Sequence, residues 1–428
     1  MIGKKCFLLI VISILSFACL SGCGHNKADD GIPQVTVAFW GSPEEKEIIS
    51  SSLDEWRRAH PEIKIRFEHA PAGGYVQKML TRIAGGAAPD ILAVRVDQFI
   101  NFASKSVLLD LSPYIEKDET FDINEYFPEV VESFSVDGKL FAIPRDTAPY
   151  ACVFYNKDIF DEKGVSYPTN NWTWEDMLEK AKALTGKDER GRMHYGYYGW
   201  AWENFVYGNE GNLVDDVKHP TACMLNTQEA IEGLQFYADL INVHKVMPTP
   251  IALANTGMGI DMMFSDGHIA MFQSGIWETP ALLNYEDLNW DVVMFPKSSK
   301  GIRRFGTGGS AYAILSSTKH PEEAWEVLKG LSGPTGQTEL ARRGLAQPAI
   351  KAIAQGDDWA KSSLPPTNKS MLNEAVQYVV YDPFHEKWIE ARAKYIIPEL
   401  ELLFNGKQNA ATAVSKFIDP VNKTLKSD

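Results

Sequence analysis

The segment Val35-Thr36-Val37-Ala38-Phe39-Trp40-Gly41-Ser42-Pro43-Glu44-Glu45 decides the fold class of this chain. Its β-branched and aromatic residues predict a strand that stops at Gly41. Ser42 then supplies an N-cap, Pro43 a proline at the first helical position and Glu45 a capping-box glutamate, which together predict a helix to about Ala59. A strand followed directly by a helix is the unit from which α/β proteins are built.

The same alternation continues along the chain. Residues 63–67 alternate as a half-buried strand, residues 75–84 have the pattern of a helix and residues 90–94 that of a buried strand. The order β-α-β-α-β predicts an α/β lobe with a largely parallel sheet and helices on both faces.

Later segments repeat these signals. Asp137-Gly138 predicts a tight hairpin. Thr173-Trp174-Glu175-Asp176 and Asn226-Thr227-Gln228-Glu229 are predicted to cap helices that reach about Leu184 and Leu240. Residues 153–155, 267–272 and 311–315 are predicted strands, a helix is predicted to begin at His320-Pro321, and the chain from about Asn373 onward is predicted to be mostly helical.

The length of the chain indicates two lobes. With 428 residues and 45% hydrophobic content, the chain exceeds what a single core usually supports. There is no internal repeat, low-complexity tract or long linker in the sequence. The lobes are therefore expected to be joined by several crossovers rather than to follow one another.

The N-terminus predicts export. Lys4 and Lys5 precede an apolar run over residues 6–20, which is shorter than the roughly 20 residues that cross a bilayer, so residues 1–22 are predicted to be a signal peptide. Leu20-Ser21-Gly22-Cys23 resembles the lipobox of bacterial lipoproteins, which implies that Cys23 is acylated and anchors the chain. The alternative is ordinary secretory cleavage next to a cysteine that is not acylated. Residues 23–33 are predicted to be a flexible tether.

Composition limits the partners and the covalent framework. Acidic residues outnumber basic ones by 56 to 42, so nucleic acid is not an expected partner. Apart from Cys23, the exported chain has only Cys152 and Cys223. These residues either form one disulfide or remain two separately buried thiols, and the sequence leaves both alternatives open.

Motifs for enzymes and cofactors are absent from the sequence. There is no phosphate loop, HExxH, GxSxG or EF-hand motif, and Gly306-Thr307-Gly308-Gly309-Ser310-Ala311 precedes a strand where a dinucleotide motif would have to follow one. The nine histidines lack metal-site spacing, so neither a metal nor a cofactor is expected. Carboxylates are plentiful, and a surface glycosidase therefore remains the enzyme alternative.

The eleven tryptophans are the most informative residues for function. Trp56, Trp174 and Trp325 lie in helical patterns and are interpreted as core residues. Trp40, Trp200, Trp202 and Trp277 instead lie at strand ends or beside glycines. An indole offers a flat face to the C–H face of a sugar ring, and sugar hydroxyls bond well to carboxylates and amides. A carbohydrate site is therefore a candidate.

Short blocks along the chain carry a family resemblance. They are Phe39-Trp40-Gly41, Ala88-Pro89-Asp90-Ile91, Val107-Leu108-Leu109-Asp110-Leu111, the run from Gly138 to Pro144, Phe154-Tyr155-Asn156-Lys157-Asp158, the run from Gly267 to Trp277, and Gly306-Thr307-Gly308-Gly309. In this order they resemble the family 1 extracellular solute-binding proteins of ABC importers, the family of maltose-binding proteins.

The resemblance implies a type II periplasmic-binding-protein-like α/β fold, in which each of two lobes is a sheet flanked by helices. It places the N-lobe at residues 34–146 and 305–332 and the C-lobe at residues 147–304 and 333–428. The three hinge crossovers are expected near residues 144–150, 303–306 and 331–336.

The resemblance also implies ligand-binding residues. Asp97 and Asp146 match two sugar-binding acids, and Trp277 matches a stacking aromatic. The remaining positions are Trp40 and Glu44 in the first loop, Trp200 and Trp202 in the second lobe, and Gly308 in the glycine block. Val94-Arg95-Val96 stands before Asp97 where maltose-type relatives often have an aromatic, so the ligand is expected to differ from maltodextrin.

The implied function is capture without chemistry. A monomer anchored on the extracytoplasmic face of a bacterial membrane would bind a sugar or oligosaccharide in the inter-lobe cleft and pass it to the transmembrane subunits of an ABC importer. The alternatives are a binding protein for non-sugar cargo such as a polyamine and a surface glycosidase. A polyamine site would also use aromatic and acidic residues, so the tryptophans do not distinguish these alternatives.

Overall fold

The computed structural model describes residues 31–187 and 191–427. The predicted signal peptide, the lipidation site Cys23 and most of the predicted tether lie outside these residues. Among the helices that the structure does describe, none is long and apolar enough to cross a membrane.

The first lobe is built on a five-stranded sheet. Its strands, in spatial order, are Lys64–Ala70, Gln34–Trp40, Ile91–Arg95, Ser310–Ile314 and Ile143–Pro144. The first three are parallel, as predicted, whereas Ser310–Ile314 runs antiparallel to its neighbours. A strand from late in the sequence thus returns to complete the sheet that the N-terminal segment begins.

Helices cover this sheet, and the predicted N-cap at Ser42 is confirmed. Its side chain accepts from the Glu45 backbone N–H while the Glu45 carboxylate accepts from the Ser42 N–H, as a capping box requires. The single helix predicted to Ala59 is instead two helices that break at Ser52-Leu53. The α-helices of this lobe are Pro43–Ser51, Asp54–Ala59, Tyr75–Ala84, Val96–Ala103, Ser112–Lys117, Pro128–Glu132, Pro321–Ser332, Pro334–Arg342 and Lys351–Gln355.

The predicted Asp137-Gly138 hairpin is confirmed. It joins the short antiparallel strands Ser135–Val136 and Lys139–Leu140. Both turn residues have positive φ, +50° at Asp137 and +75° at Gly138, as a type I′ turn demands.

The second lobe is built on a four-stranded mixed sheet. Its strands, in spatial order, are Tyr198–Gly199, Met271–Ser274, Cys152–Asn156 and Trp290–Met294. The predicted strand at residues 267–272 therefore begins later and ends at Ser274. This shift places the following Gly275 and Trp277 just beyond the carboxyl end of the strand.

Helices surround the second sheet. The predicted cap at Thr173 is confirmed, and within the predicted capping segment Asn226-Thr227-Gln228-Glu229 the N-cap is Thr227. The α-helices are Lys157–Lys163, Trp174–Leu184, Glu203–Gly208, Gln228–Asn242, Pro250–Ala254, Ile260–Ser265, Thr279–Leu282, Leu372–Ala375, Trp388–Ala391, Ile397–Phe404 and Ala410–Leu425. The C-terminal part is mostly helical, as predicted, but the strand Val379–Val380 interrupts it and pairs with Phe305–Gly306.

Two separate hydrophobic cores define the lobes, and they correct the predicted boundaries. Phe305 lies in the second core, whereas Leu340, Leu345 and Ile350 are buried in the first. The chain breaks at Gly333-Pro334, within the segment where the resemblance implied a crossover, but the next helix, Pro334–Arg342, turns back onto the helix before it. After Ala354 the buried residues lie mainly in the second core, beginning with Trp359, although Val376 still belongs to the first.

The two cysteines in the described residues are free and buried. Cys152 lies in the central strand of the second sheet and Cys223 lies beside Val214. Of the two alternatives left by the sequence, the structure has the separate thiols. Burial raises the pKa of both thiols, that of Cys223 to about 11, so neither favours the reactive thiolate at neutral pH.

Candidate ligand-binding cleft

Two adjoining cavities, each of about 320 Å³, lie between the lobes. Arg95, Tyr150 and Trp200 line both, so the cavities form one continuous cleft. The first cavity is further lined by Trp40, Glu45, Ala72, Arg145, Asp146, Ala148, Ile276, Trp277, Gly308, Ser310, Leu345 and Ala346. Since these residues come from both lobes, any molecule held here contacts both at once.

Two hinge segments run side by side along the cleft. Gly308 N–H donates to the Ala148 carbonyl at 2.9 Å, and Tyr150 N–H donates to the Gly306 carbonyl at 2.9 Å. The Thr307 hydroxyl also donates to the Thr147 carbonyl at 2.7 Å. These bonds tie the first two passages between the lobes into one narrow ribbon.

Glycines in this ribbon leave room for Tyr150. A Cβ atom would lie 2.8 Å from its ring at Gly306 and 2.9 Å at Gly308. Real Cβ atoms are almost never so close to an aromatic carbon, so the ring keeps its place only because these two side chains are missing. Gly308 therefore shapes the cleft through Tyr150.

Aromatic rings form one wall of the first cavity. The ring of Tyr150 lies 4.7 Å from that of Trp200 and 6.0 Å from that of Trp277, both edge to face. Trp40, at the end of the first strand, packs edge to face on Tyr75 at 5.3 Å. Trp277 follows a strand of the second lobe yet packs against the core of the first. The wall is therefore shared between the lobes.

A hydrogen-bond chain fixes two of these indoles. Trp277 Nε1 donates to Glu278 Oε1 at 3.1 Å, and the Ser274 hydroxyl donates to the same oxygen at 2.7 Å. Trp200 Nε1 in turn donates to Ser274 Oγ at 3.4 Å. Burial raises the pKa of the Glu278 carboxyl, although the hydrogen bonds from Ser274 and Trp277 lower that pKa. Both indole N–H groups are thus used to hold the rings.

Charged groups of the first lobe form the opposite wall. The buried Asp146 carboxylate accepts from Arg145 Nε at 2.8 Å, from Ser310 N–H at 2.8 Å and from the Ser310 hydroxyl at 2.5 Å. Glu45 also reaches the cavity from its capping position. Burial raises the pKa of its carboxyl, although the hydrogen bond from the Ser42 N–H lowers that pKa. This wall offers carboxylate and guanidinium groups to a ligand.

The second cavity is more highly charged. Besides the three shared residues it is lined by Asp97, Gln98, Glu203, Tyr207, Gly306, Thr307, Val380, Asp382, Trp388, Ile389 and Arg392. Asp97 accepts from Arg95 Nε at 2.8 Å and Nη2 at 2.6 Å, a bidentate pair. Across the cavity Arg392 donates to Glu203.

The structure brings six of the eight predicted site residues to the cleft and leaves two out. Those at the cleft are Trp40, Asp97, Asp146, Trp200, Trp277 and Gly308. Glu44 is not part of either cavity wall, because it faces Ser42 and Asn284, and its neighbour Glu45 lines the cavity instead. Trp202 is 5% exposed and packs in the second core.

Several cleft residues were not among those predicted from the sequence. Arg95 and Arg145 lie next to predicted acids, and that position is a signal for them. Tyr150 lies within a predicted hinge segment. Glu45 is a helix cap, and the same side chain also lines the cavity. Asp382, Trp388 and Arg392 lie in a segment predicted only as helical, and nothing local marks them.

The described residues contain no group of histidine, cysteine or carboxylate side chains arranged to hold a metal ion. The cleft is instead an aromatic and charged groove that a hinge ribbon spans. This combination defines a two-lobed binding protein, which holds a ligand between its lobes.

Comparison with known proteins identifies the family. The family model described as bacterial extracellular solute-binding protein matches residues 40–338. The chain belongs to this family. Since the family consists of solute-binding proteins and not enzymes, this chain is a binding protein, and the glycosidase alternative is set aside.

Three similar proteins illustrate the family. The arabinooligosaccharide-binding protein of Bacillus subtilis is 26% identical over 77% of this chain and 76% of its own length. The multiple sugar-binding protein of Streptococcus mutans is 24% identical over 76% of this chain and 78% of its own. The structure of an ABC substrate-binding protein from Listeria monocytogenes in complex with cycloalternan superposes with a TM-score of 0.83 at 26% identity. The match covers 92% of this chain and 100% of the Listeria chain. These likenesses confirm the predicted two-lobed type II fold.

Proposed function

We propose that this protein captures a sugar or an oligosaccharide in the inter-lobe cleft and delivers it to the membrane subunits of an ABC importer. The observation that carries the proposal is the pairing of an aromatic wall with a wall of carboxylates and guanidinium groups in one cavity. Sugar rings have an apolar face that stacks on aromatic rings and a rim of hydroxyls that bonds to charged groups.

The names of the similar proteins support a sugar as the ligand. They refer to arabinooligosaccharides, to multiple sugars and, for the Listeria structure, to cycloalternan. None of these three names refers to a polyamine, and the polyamine alternative gains no support.

In the proposed binding mode, Trp40, Trp200 and Trp277 stack on sugar rings. Asp97 and Asp146 accept bonds from sugar hydroxyls, and Gly308 acts by leaving room for Tyr150. Closure brings the lobes together about the hinge ribbon, and the ligand favours the closed state by the contacts that it makes only there. No bond of the sugar is made or broken.

Contacts outside the cleft also join the lobes. The Glu44 carboxylate accepts from Asn284 Nδ2 at 3.4 Å on one side, and Lys218 forms an ion pair with Glu132 at 3.1 Å on the other. Such exposed contacts contribute only about 0.2–1 kcal/mol each. Apolar contacts add to them, since Trp277 and Phe384 pack against the core of the first lobe. The ligand is proposed to add its own contacts with both lobes to this set.

The proposed location is the extracytoplasmic face of a bacterial membrane. There the acylated Cys23 would hold the protein as a monomer beside its importer, and residues 24–33 would act as a tether. A lipid anchor suits a protein whose partner is a membrane complex, because tethering raises the concentration of the protein near that complex.

A thermal-shift screen tests the proposal. A ligand that binds only the folded state stabilises it by about 2.7 kcal/mol at roughly a hundred times its Kd. We expect one or more sugars from a panel of mono- and oligosaccharides to raise the melting temperature, and polyamines at the same concentration to leave it unchanged. A shift with polyamines alone would contradict the proposal.

The Gly308→Ala variant tests the role of the hinge glycine. The added methyl displaces the Tyr150 ring, and overpacking of this kind costs about 1–2 kcal/mol, so we expect the Kd for the sugar to rise by roughly five- to thirtyfold. Calorimetric titration measures the change. Gly186→Ala is the control, because nothing lies within 4 Å of a Cβ placed there. Equal affinities of the two variants would show that Tyr150 does not contribute to the site.

A further inference from the structure

The second cavity contains one more carboxylate than cation. Its charged side chains are Arg95 and Arg392 on the positive side and Asp97, Glu203 and Asp382 on the negative side. They come from both lobes and from the C-terminal segment. All five lie together between the lobes, where a ligand can contact them.

Each guanidinium group already has a carboxylate of its own. Arg95 is held by both oxygens of Asp97, at 2.8 Å and 2.6 Å. Arg392 is held by Glu203, whose side chain is 6% exposed. Both guanidinium groups therefore have a carboxylate partner without Asp382.

Asp382 is the carboxylate left over. Its distance to Arg392 Nη1 is 3.8 Å, too long for a hydrogen bond, and its side chain is 14% exposed. Arg392 and Arg95 attract its charge, whereas Asp97 and Glu203 repel it. Burial raises the pKa of its carboxyl to about 7 despite Arg392. A further cation beside this carboxylate would therefore favour its charged form.

The rest of the cavity suits such a cation. Oε2 of the buried Glu203 has no hydrogen-bond partner among the described residues. Four aromatic residues also line the cavity, namely Tyr150, Trp200, Tyr207 and Trp388. Aromatic faces together with carboxylates are the environment that an ammonium group prefers, because the ring quadrupole attracts positive charge.

We propose that the second cavity binds the positively charged amino group of an amino-substituted saccharide, with Asp382 as its counter-ion. This inference rests on the proposed sugar-binding function and narrows its ligand class. The first cavity stacks a sugar ring, and the second selects for a protonated amine on the same ring or on its neighbour.

Calorimetric titration with matched sugars tests the inference. The probes are glucose, glucosamine and N-acetylglucosamine, the corresponding galactose set, and linear trisaccharides of each, all at neutral pH. They differ only in the hydroxyl, ammonium or acetamido group. We expect an ammonium form to bind at least about tenfold tighter than its hydroxyl counterpart, as a cation at a buried carboxylate should.

Variants assign the preference to Asp382. In Asp382→Asn the ratio of the two affinities should fall to within about twofold of one, since the counter-ion is gone. Asp382→Glu keeps the charge and should keep a preference. Glu386→Gln removes one exposed charge outside the cavity and should leave the ratio unchanged, which controls for net charge.

The outcomes are distinct. If hydroxyl sugars bind and no ammonium form binds tighter, or if the preference survives in Asp382→Asn, the inference is overturned while the sugar-binding function stands. If the folded protein binds no sugar of any kind, both fail together.

Discussion

Replacing Trp277 with alanine raises the Kd for the bound sugar roughly 30- to 150-fold, a loss of about 2–3 kcal/mol. Trp277 follows the strand Met271–Ser274 of the second lobe, and its ring packs against the core of the first lobe. Its indole N–H is held by Glu278, and its ring lies over Gly275, where a Cβ would be 1.8 Å away. The variant thus loses both the stacking face and a contact between the lobes.

Calorimetric titration measures this loss. Tyr167→Ala is the matched control, because Tyr167 is an exposed aromatic of the second lobe, 39% exposed, that lies outside both cavities. Its affinity should match that of the unaltered protein. An unchanged Kd in Trp277→Ala would show that the sugar does not stack on this ring.

The second large effect concerns stability. Asp146→Ala lowers the free energy of unfolding of the first lobe by about 3–5 kcal/mol, because removing one partner of a buried ion pair leaves the other charge uncompensated. Arg145 and Asp146 are 7% and 2% exposed, and the carboxylate also holds both the N–H and the hydroxyl of Ser310. The variant therefore breaks the junction between the hinge and the first sheet.

Urea unfolding followed by tryptophan fluorescence measures this change. Asp358→Ala is the control, since Asp358 pairs with Arg342 on the surface, with side chains 40% and 59% exposed. Pairs of that kind contribute about 0–1 kcal/mol. A loss in Asp146→Ala no greater than in the control would mean that Arg145 finds another partner and that the pair does not anchor the hinge.

Local signals in the sequence predicted the elements well. The capping box of Ser42 and Glu45 and the Asp137-Gly138 turn depend on residues three or fewer apart, and the structure contains both. The two-lobed fold followed from length and from the family resemblance. The resemblance placed the third crossover near residues 331–336, but there the helix Pro334–Arg342 turns back onto the helix before it. Whether a chain crosses or turns back at such a break depends on packing, and this prediction was wrong.

The site was predicted only in part because its residues converge from distant parts of the chain. Asp382 and Arg392 meet Arg95 and Asp97 across almost three hundred residues, and no local pattern marks that meeting. Tryptophans were conspicuous by type, so three of the four proposed for the ligand do line the cleft, whereas Trp202 fills the core. Arg95, Arg145 and Tyr150 were not predicted to line the cleft, because isolated residues of these types are usually surface or packing residues.

Calorimetric titration of the sugar that gives the largest thermal shift, with recovery of that sugar afterwards, tests whether this protein captures a sugar without chemistry. We expect saturable heat for one ligand per chain and a sugar recovered chemically unchanged. The absence of binding to well-folded protein, or consumption of the sugar during the titration, would contradict it.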